Sequence, residues 1–292
     1  MAAQYKKRFG DRREGRRLRS LSPFFQMVPF IMKWTNDSCN YFEDSVEITE
    51  ADRWLREKRK EGYPGLGSLH LFIAAYVRTV AMRPGVNRFI SGQRLYARRN
   101  IEIIMAIKRS LSTDAEETSI KVEFEPTDTI FDVYHKLGAA VDAVKANEAT
   151  DTDDAAAMLT KMPRLLLKFV VWFMNMLDYF DKLPKSLLKT SPFHGSIVIT
   201  DLGSLGIPPV FHHIYNFGNI PNFLAFGAKR KAVELDKNGK LVERKYIDYR
   251  LTLDERPCDG LYFATALKYL KYYLRNPAQM ELPPERVEQD VF

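Results

Sequence analysis

One stretch limits the possible folds of this 292-residue chain more than any other. Residues 241–254 return from a turn at Asp236-Lys237-Asn238-Gly239 as a strand-like run, break on Asp254-Glu255-Arg256-Pro257-Cys258-Asp259-Gly260, and restart at once as a helical pattern over 261–274. A strand that ends in a turn crowded with ionisable groups and passes directly into a helix presents its side chains where ligands can reach them. The segment predicts an active-site corner.

The rest of the chain mixes helix and strand. Residues 21–33, interrupted by Pro23 and Pro29, predict a kinked or broken helix buried against something. Residues 41–49 predict a strand, 52–60 a charged helix, and the repeat of Leu69, Phe72, Ile73, Tyr76, Val77 and Val80 an amphipathic helix over 68–82, stopped by Pro84. Strand-like runs at 87–90, 94–97, 101–107 and 119–125 predict an antiparallel meander, followed by a helix from Asp128 to about Ala146. The acidic residues 148–154 read as a loop or the start of a short helix. Residues 196–200 predict a short buried strand, and 223–227 and 232–235 two further strand pieces. No internal repeat and no long Pro- or Gly-rich linker marks a second independent domain.

The most apolar segment is 164–180, where Lys168, Asn175 and Asp178 leave only a narrow polar stripe. It is shorter than the roughly 20 residues a spanning helix needs. Burial in a core or a subunit interface is the expectation, and an interfacial membrane helix assisted by the basic N-terminal arm is the alternative.

Composition sets the remaining bounds. At 46% hydrophobic the chain has ample material for a compact core. Eight basic residues among the first twenty, against Asp11 and Glu14, supply nearly all of the formal charge of +7. The balanced remainder argues against a nucleic-acid-binding body, and the arm at 1–19 reads as a solvated tail or a contact for an acidic partner or a large anionic ligand. The arm lacks the apolar core of a secretory signal, so a cytoplasmic protein is expected. Cys39 and Cys258 form no Cys-x-x-Cys pair, and neither a disulfide framework nor a metal site is predicted.

Two local motifs carry a resemblance. Ile197-Val198-Ile199-Thr200-Asp201-Leu202-Gly203, with the Gly206 that follows, is similar to the Phe-Thr-Ile-Ser-Asn-Leu-Gly strand and turn of the 2-oxoacid dehydrogenase acyltransferase catalytic domains. The corner Asp254 to Gly260 is similar to their Asp-His-Arg-x-x-Asp-Gly motif, and Arg83-Pro84-Gly85-Val86-Asn87 resembles their Pro-Glu-Leu-Asn turn. The resemblance spans roughly residues 17–277.

The resemblance implies an α/β fold of the α+β two-layer kind shared with chloramphenicol acetyltransferase, a mixed sheet with helices packed on one face. It would occupy a single domain at 20–280, with an apolar helical insertion at about 160–190 and a tail at 281–292. The resemblance also implies acyl transfer from coenzyme A or an acyl-CoA to a thiol or hydroxyl, in a homotrimer with the active site between subunits. The motif histidine takes the acceptor's proton, and a Ser or Thr of the neighbouring subunit, here Thr200, donates to the tetrahedral oxyanion. Asp259 matches the aspartate that holds the corner by a salt bridge, with Asp254, Arg256 and Gly260 as further structural residues.

Three departures follow from the same comparison. Glu255 stands where the histidine is expected, and a carboxylate is ordinarily a weaker base than an imidazole by about two pKa units, roughly 3 kcal/mol if fully expressed. The arginine-rich helix expected after Leu21-Ser22 is replaced by Pro23-Phe24-Phe25-Gln26-Met27-Val28-Pro29-Phe30, leaving Arg19 or Arg256 as substitutes. The chain has no lipoyl attachment site, so an acyl carrier or lipoyl domain is expected on another chain. His212 and His213 follow Thr200 in an aromatic setting, and His213 joins Thr200 and Glu255 as a catalytic candidate. His70, His135 and His194 read as structural. The readings left open are an acyltransferase with an altered base, a catalytically degenerate trimeric scaffold or regulatory homologue, and a membrane-surface protein.

Overall fold

The computed structural model of the chain describes residues 7–108, 117–146 and 159–291. The acidic stretch 148–154 lies outside the described residues. The larger of two sheets contains β2 (Cys39–Glu47), β5 (Ile101–Lys108), β6 (Glu117–Phe124), β7 (Ile197–Asp201), β8 (Asn222–Leu235) and β9 (Leu241–Asp254), in the order β2-β9-β8-β7-β5-β6. β7 runs parallel to β5 and β8, and the other pairs are antiparallel. A small sheet joins β1 (Gly15–Arg17), β4 (Arg94–Arg98) and β3 (Arg88–Ser91). The helices are α1 (Pro23–Ile31), α2 (Thr49–Lys60), α3 (Ser68–Met82), α4 (Ile130–Ala146), α5 (Arg164–Tyr179), α6 (Lys185–Thr190) and α7 (Gly260–Arg275).

Strand alternation divides the large sheet into two faces. Ile197, Ile199, Leu224, Phe226, Ile247, Tyr249, Leu251 and Leu253 point to one face and form the main core with α3, α4 and α7. Residues Leu71 to Ala81 of α3 are all buried, and Phe72 stacks on Phe226 with ring centroids 4.3 Å apart. α7 turns Phe263, Ala266, Leu270, Tyr273 and Leu274 inward at helical spacing. On the other face a smaller cluster of Ile104, Val198 and Phe223 is covered by Ile214 and Ile220 from the loop at 206–221. Helices thus pack on one face, and a loop crosses the other.

Four expectations change. The meander divides between two sheets, because β3 and β4 pair with β1 while β5 and β6 continue the large sheet. The pieces at 223–227 and 232–235 belong to the single strand β8, whose register shifts between Phe226 and Lys229. Gly227 sits at this irregularity because a Cβ there would meet Pro209 at 2.5 Å, and Ala228 N donates to Ile207 O at 3.1 Å. The loop is pressed into the strand.

The third change concerns the basic arm, which is partly folded structure. β1 pairs with β4, and buried Arg12 donates to Asp178 Oδ1 at 2.7 Å and to Asp178 O at 2.8 Å. A buried carboxylate on α5 organises these residues, which charge density alone does not reveal. The fourth concerns the two apolar segments. α1 leaves Phe24, Met27, Phe30 and Ile31 exposed, and α5 buries only Asp178, so neither belongs to the core of the protomer.

Candidate active site

The turn after β7 is held by side-chain-to-backbone bonds within itself and by a backbone bond to β8. Asp201 Oδ1 accepts from Ser204 N at 3.0 Å, Ser204 Oγ donates to Asp201 O at 2.8 Å, and Leu202 N donates to Phe226 O at 2.9 Å. Gly206, at φ 73°, takes the left-handed conformation that lets the chain turn away. Thr200 is in phase with Val198, so its side chain lies on the loop-covered face of the sheet. Its hydroxyl has no hydrogen-bond partner among the described residues.

The corner after β9 is held by ions. Arg256 Nε donates to Asp254 Oδ1 at 2.9 Å and Nη2 to Asp254 Oδ2 at 2.7 Å, with both side chains buried. The same guanidinium reaches Met32 O at 3.0 Å and Thr35 Oγ1 at 2.9 Å, tying the segment after α1 to the corner. Glu255 is half-buried. Its backbone N donates to Ser38 O at 2.9 Å, and Oε2 accepts from Asn40 Nδ2 at 2.8 Å. Oε1 has no hydrogen-bond partner among the described residues. Asn40 was not predicted, although it is a polar residue in phase with Phe42 and Val46, a sequence signal that could have found it.

Asp259 does not make the ion pair of the corner. Its Oδ1 accepts from Tyr262 N at 2.8 Å and caps α7, while the ion pair is between Asp254 and Arg256. Arg19, the other suggested substitute, pairs with Asp11 at 3.3 Å. Gly260 is the first residue of α7.

Register shows which candidates meet. Thr200 pairs with Ala225, Ala225 with Arg250, and Arg250 with Glu43. Glu255 lies five residues beyond Arg250, roughly 17 Å along the strand at about 3.4 Å per residue. Thr200 and Glu255 therefore do not meet within one protomer. The histidine that faces the sheet is His212 rather than His213. Its ring stacks on Phe223 at 4.3 Å, one rung of the same face from Thr200, and its backbone oxygen accepts from Thr252 Oγ1 at 2.6 Å. Nε2 is buried without a hydrogen-bond partner among the described residues, and burial, followed by neighbouring His213, holds the imidazole below its ordinary pKa. His213 is exposed, edge-on to Tyr215.

The remaining histidines and both cysteines have other surroundings. His70 Nδ1 accepts from Gly67 N at 3.2 Å at the start of α3, and burial pushes its pKa down to about 4. His135 packs against Tyr63 and Tyr134, and His194 is bonded to Ser191 Oγ at 2.8 Å. Burial raises the Cys39 thiol to about 11 and raises that of Cys258 as well, so neither is activated as a nucleophile. No cluster of three His, Cys, Asp or Glu side chains suited to a metal ion occurs among the described residues.

Residues 175–282, which include both motifs, match the family described as 2-oxoacid dehydrogenases acyltransferase (catalytic domain). In sequence and in fold the chain resembles that acyltransferase domain. A probable dihydrolipoamide acetyltransferase from Listeria monocytogenes superposes with a TM-score of 0.57 at 15% identity, covering 89% of this chain and 94% of that one. The dihydrolipoamide acetyltransferase of Azotobacter vinelandii gives 0.58 at 13% identity, covering 90% and 94%. A chloramphenicol acetyltransferase gives 0.54 at 13%, covering 85% and 92%. No curated protein sequence matches. The acyltransferase fold accounts for the mixed sheet and its one helical face, and the two resembling motifs lie at opposite ends of β7 and β9, with β8 between them.

Proposed function

We propose that the chain transfers an acyl group from a coenzyme A thioester to a thiol or hydroxyl acceptor, at a site shared between copies in a homotrimer. Glu255 of one copy is the base and Thr200 of the next is the oxyanion donor. The observation that carries this reading is the state of Glu255. Adjacent Arg256 is taken up by Asp254, so the Glu255 carboxylate is oriented by Asn40 and remains open on Oε1. A carboxylate that is positioned but not consumed by an ion pair is available for proton transfer.

In the forward step Glu255 removes the acceptor's proton as its sulfur or oxygen attacks the thioester carbonyl. The tetrahedral oxyanion accepts a hydrogen bond from the Thr200 hydroxyl. Collapse breaks the carbon–sulfur bond, and the coenzyme A thiolate leaves with the proton returned by Glu255. The acceptor would come to the site free or on a carrier or lipoyl domain of another chain. His212 supports a second reading, in which its Nε2, without a partner among the described residues and on a ring stacked on Phe223, is the base.

The test measures acyl transfer from acetyl-CoA and longer acyl-CoA thioesters to a small dithiol. Glu255→Gln is expected to lower kcat about a hundredfold, and Glu255→His, which restores the stronger base, to retain or exceed the parent rate. A large loss in His212→Gln with none in Glu255→Gln moves the base to His212. If no acyl-CoA turns over and Glu255→His gains nothing, the catalytic assignment fails and the degenerate scaffold is the better description.

A further inference from the structure

α5 is apolar on more of its circumference than the body of the protomer covers. Its single buried residue, Asp178, points at Arg12, and the side opposite carries Leu165, Leu166, Phe169, Trp172 and Phe173. At 100° per residue these five positions form one face, centred near Phe169 and directed away from the body. Leu165 is 79% exposed, Phe169 56% and Trp172 57%. A surface helix ordinarily turns its apolar stripe toward the core. Here Leu167, Val170, Met174 and Leu177 are only half-buried beside Asp178, and the larger aromatic face is turned outward.

Two further observations say what the face fits. Gln93 receives a hydrogen bond from Tyr179 Oη at 3.1 Å and donates to Pro29 O at 3.4 Å, which ties the end of α5 to α1, a second helix with exposed apolar residues, Phe30 and Ile31. The surrounding charge is of one sign. Lys161, Arg164, Lys168, Lys182, Lys185 and Lys189 are exposed and make no ion pair among the described residues, whereas Asp178 and Asp181 both face Arg12. A second copy placed on this face would bring cations toward cations, and the one carboxylate of α5 and α6, Asp178, is already taken up by Arg12. An anionic bilayer surface takes both the aromatic face and the exposed lysines and arginine on and around α5 and α6. No helix among the described residues is long and apolar enough to cross a membrane, which leaves surface seating.

We infer that α5 seats this protein on anionic membrane surfaces, with Leu165, Phe169 and Trp172 entering the headgroup boundary and the flanking cations contacting lipid phosphates. The inference is independent of the chemistry proposed for Thr200 and Glu255. It is tested by co-sedimenting the full chain with phosphatidylcholine vesicles, with and without phosphatidylglycerol, while light scattering follows its mass in solution. Binding is expected only where phosphatidylglycerol is present, and is weakened by salt. F169E/W172E should abolish it, and K161Q/R164Q/K168Q should weaken it roughly a hundredfold, at about fivefold per cation, with the mass of both variants unchanged. The inference is overturned if the parent chain ignores anionic vesicles at low salt or if the variants bind like the parent. It is also overturned if F169E/W172E lowers the mass, since a second copy then covers the face.

Discussion

The turn after β7 and the corner after β9 both end strands of one sheet and both carry a resembling motif, yet they are fixed by different forces. The turn is fixed by hydrogen bonds between Asp201 and Ser204 and from Leu202 N to Phe226 O, and the Thr200 hydroxyl is left without a partner among the described residues. The corner is fixed by a buried ion pair between Asp254 and Arg256 and leaves one carboxylate oxygen over, on Glu255. Polar groups already satisfied by the fold hold the structure, and those left over are available for chemistry. Breaking a holding group should therefore cost stability, and breaking a leftover group should cost rate.

The largest effect is expected at Arg256. Arg256→Ala strands the Asp254 carboxylate in a dry corner and releases the segment after α1, a loss of about 3–5 kcal/mol in denaturant unfolding. Replacing both partners by apolar residues of similar size should recover most of that loss, since the cost lies in the unpaired charge. An Arg256→Ala protein as stable as the parent would remove the distinction between holding and leftover groups. Next comes Thr200→Val, which keeps shape and removes the hydroxyl. A loss of about 10²–10³ in kcat with unfolding unaltered is expected, and unchanged turnover would take Thr200 out of the reaction.

The parts legible in the sequence were those set by local periodicity. α3 and α7 fall where apolar spacing puts them, and the central strands follow alternation. What covers an apolar face has no local signal. The segment 164–180 reads as core or subunit interface by composition, and in the protomer its outward residues stay exposed. Arg12 reads as part of a solvated arm, because its partner Asp178 is far away in sequence. At the candidate site, the motifs pointed to Thr200 and Glu255; the seating of His212 rather than His213 against the sheet had no local signal, and Asn40 showed only as a polar residue in phase with Phe42 and Val46. Both depend on contacts across strands and loops, Phe223 under His212 and β2 beside β9.

Asn40 gives the third prediction. Its Nδ2 is the one side-chain donor on Glu255 among the described residues, and a hydrogen bond to a charged group is worth about 1.5–3 kcal/mol. With Glu255 half-exposed, the lower end applies, so Asn40→Ala should lower kcat about tenfold through loss of orientation. The double variant with Glu255→Gln should be no slower than Glu255→Gln alone, because the two act as a unit. Additive losses would mean that Asn40 contributes elsewhere.

The smallest effect, at Asp259, separates this chain most clearly from what its motif implies. If the carboxylate held the corner by a salt bridge, charge would be essential, and Asp259→Asn would be as damaging as Asp259→Ala. Its observed bond is instead a cap, Oδ1 accepting from Tyr262 N at the start of α7, and an asparagine side chain accepts that bond equally well. Asp259→Ala is therefore expected to cost about 1 kcal/mol and Asp259→Asn only a small fraction of it, both with kcat close to the parent. Equal destabilisation in the two variants would show a charge requirement that the cap does not explain. A matching loss of rate would place Asp259 among the leftover groups of the corner rather than those that hold it.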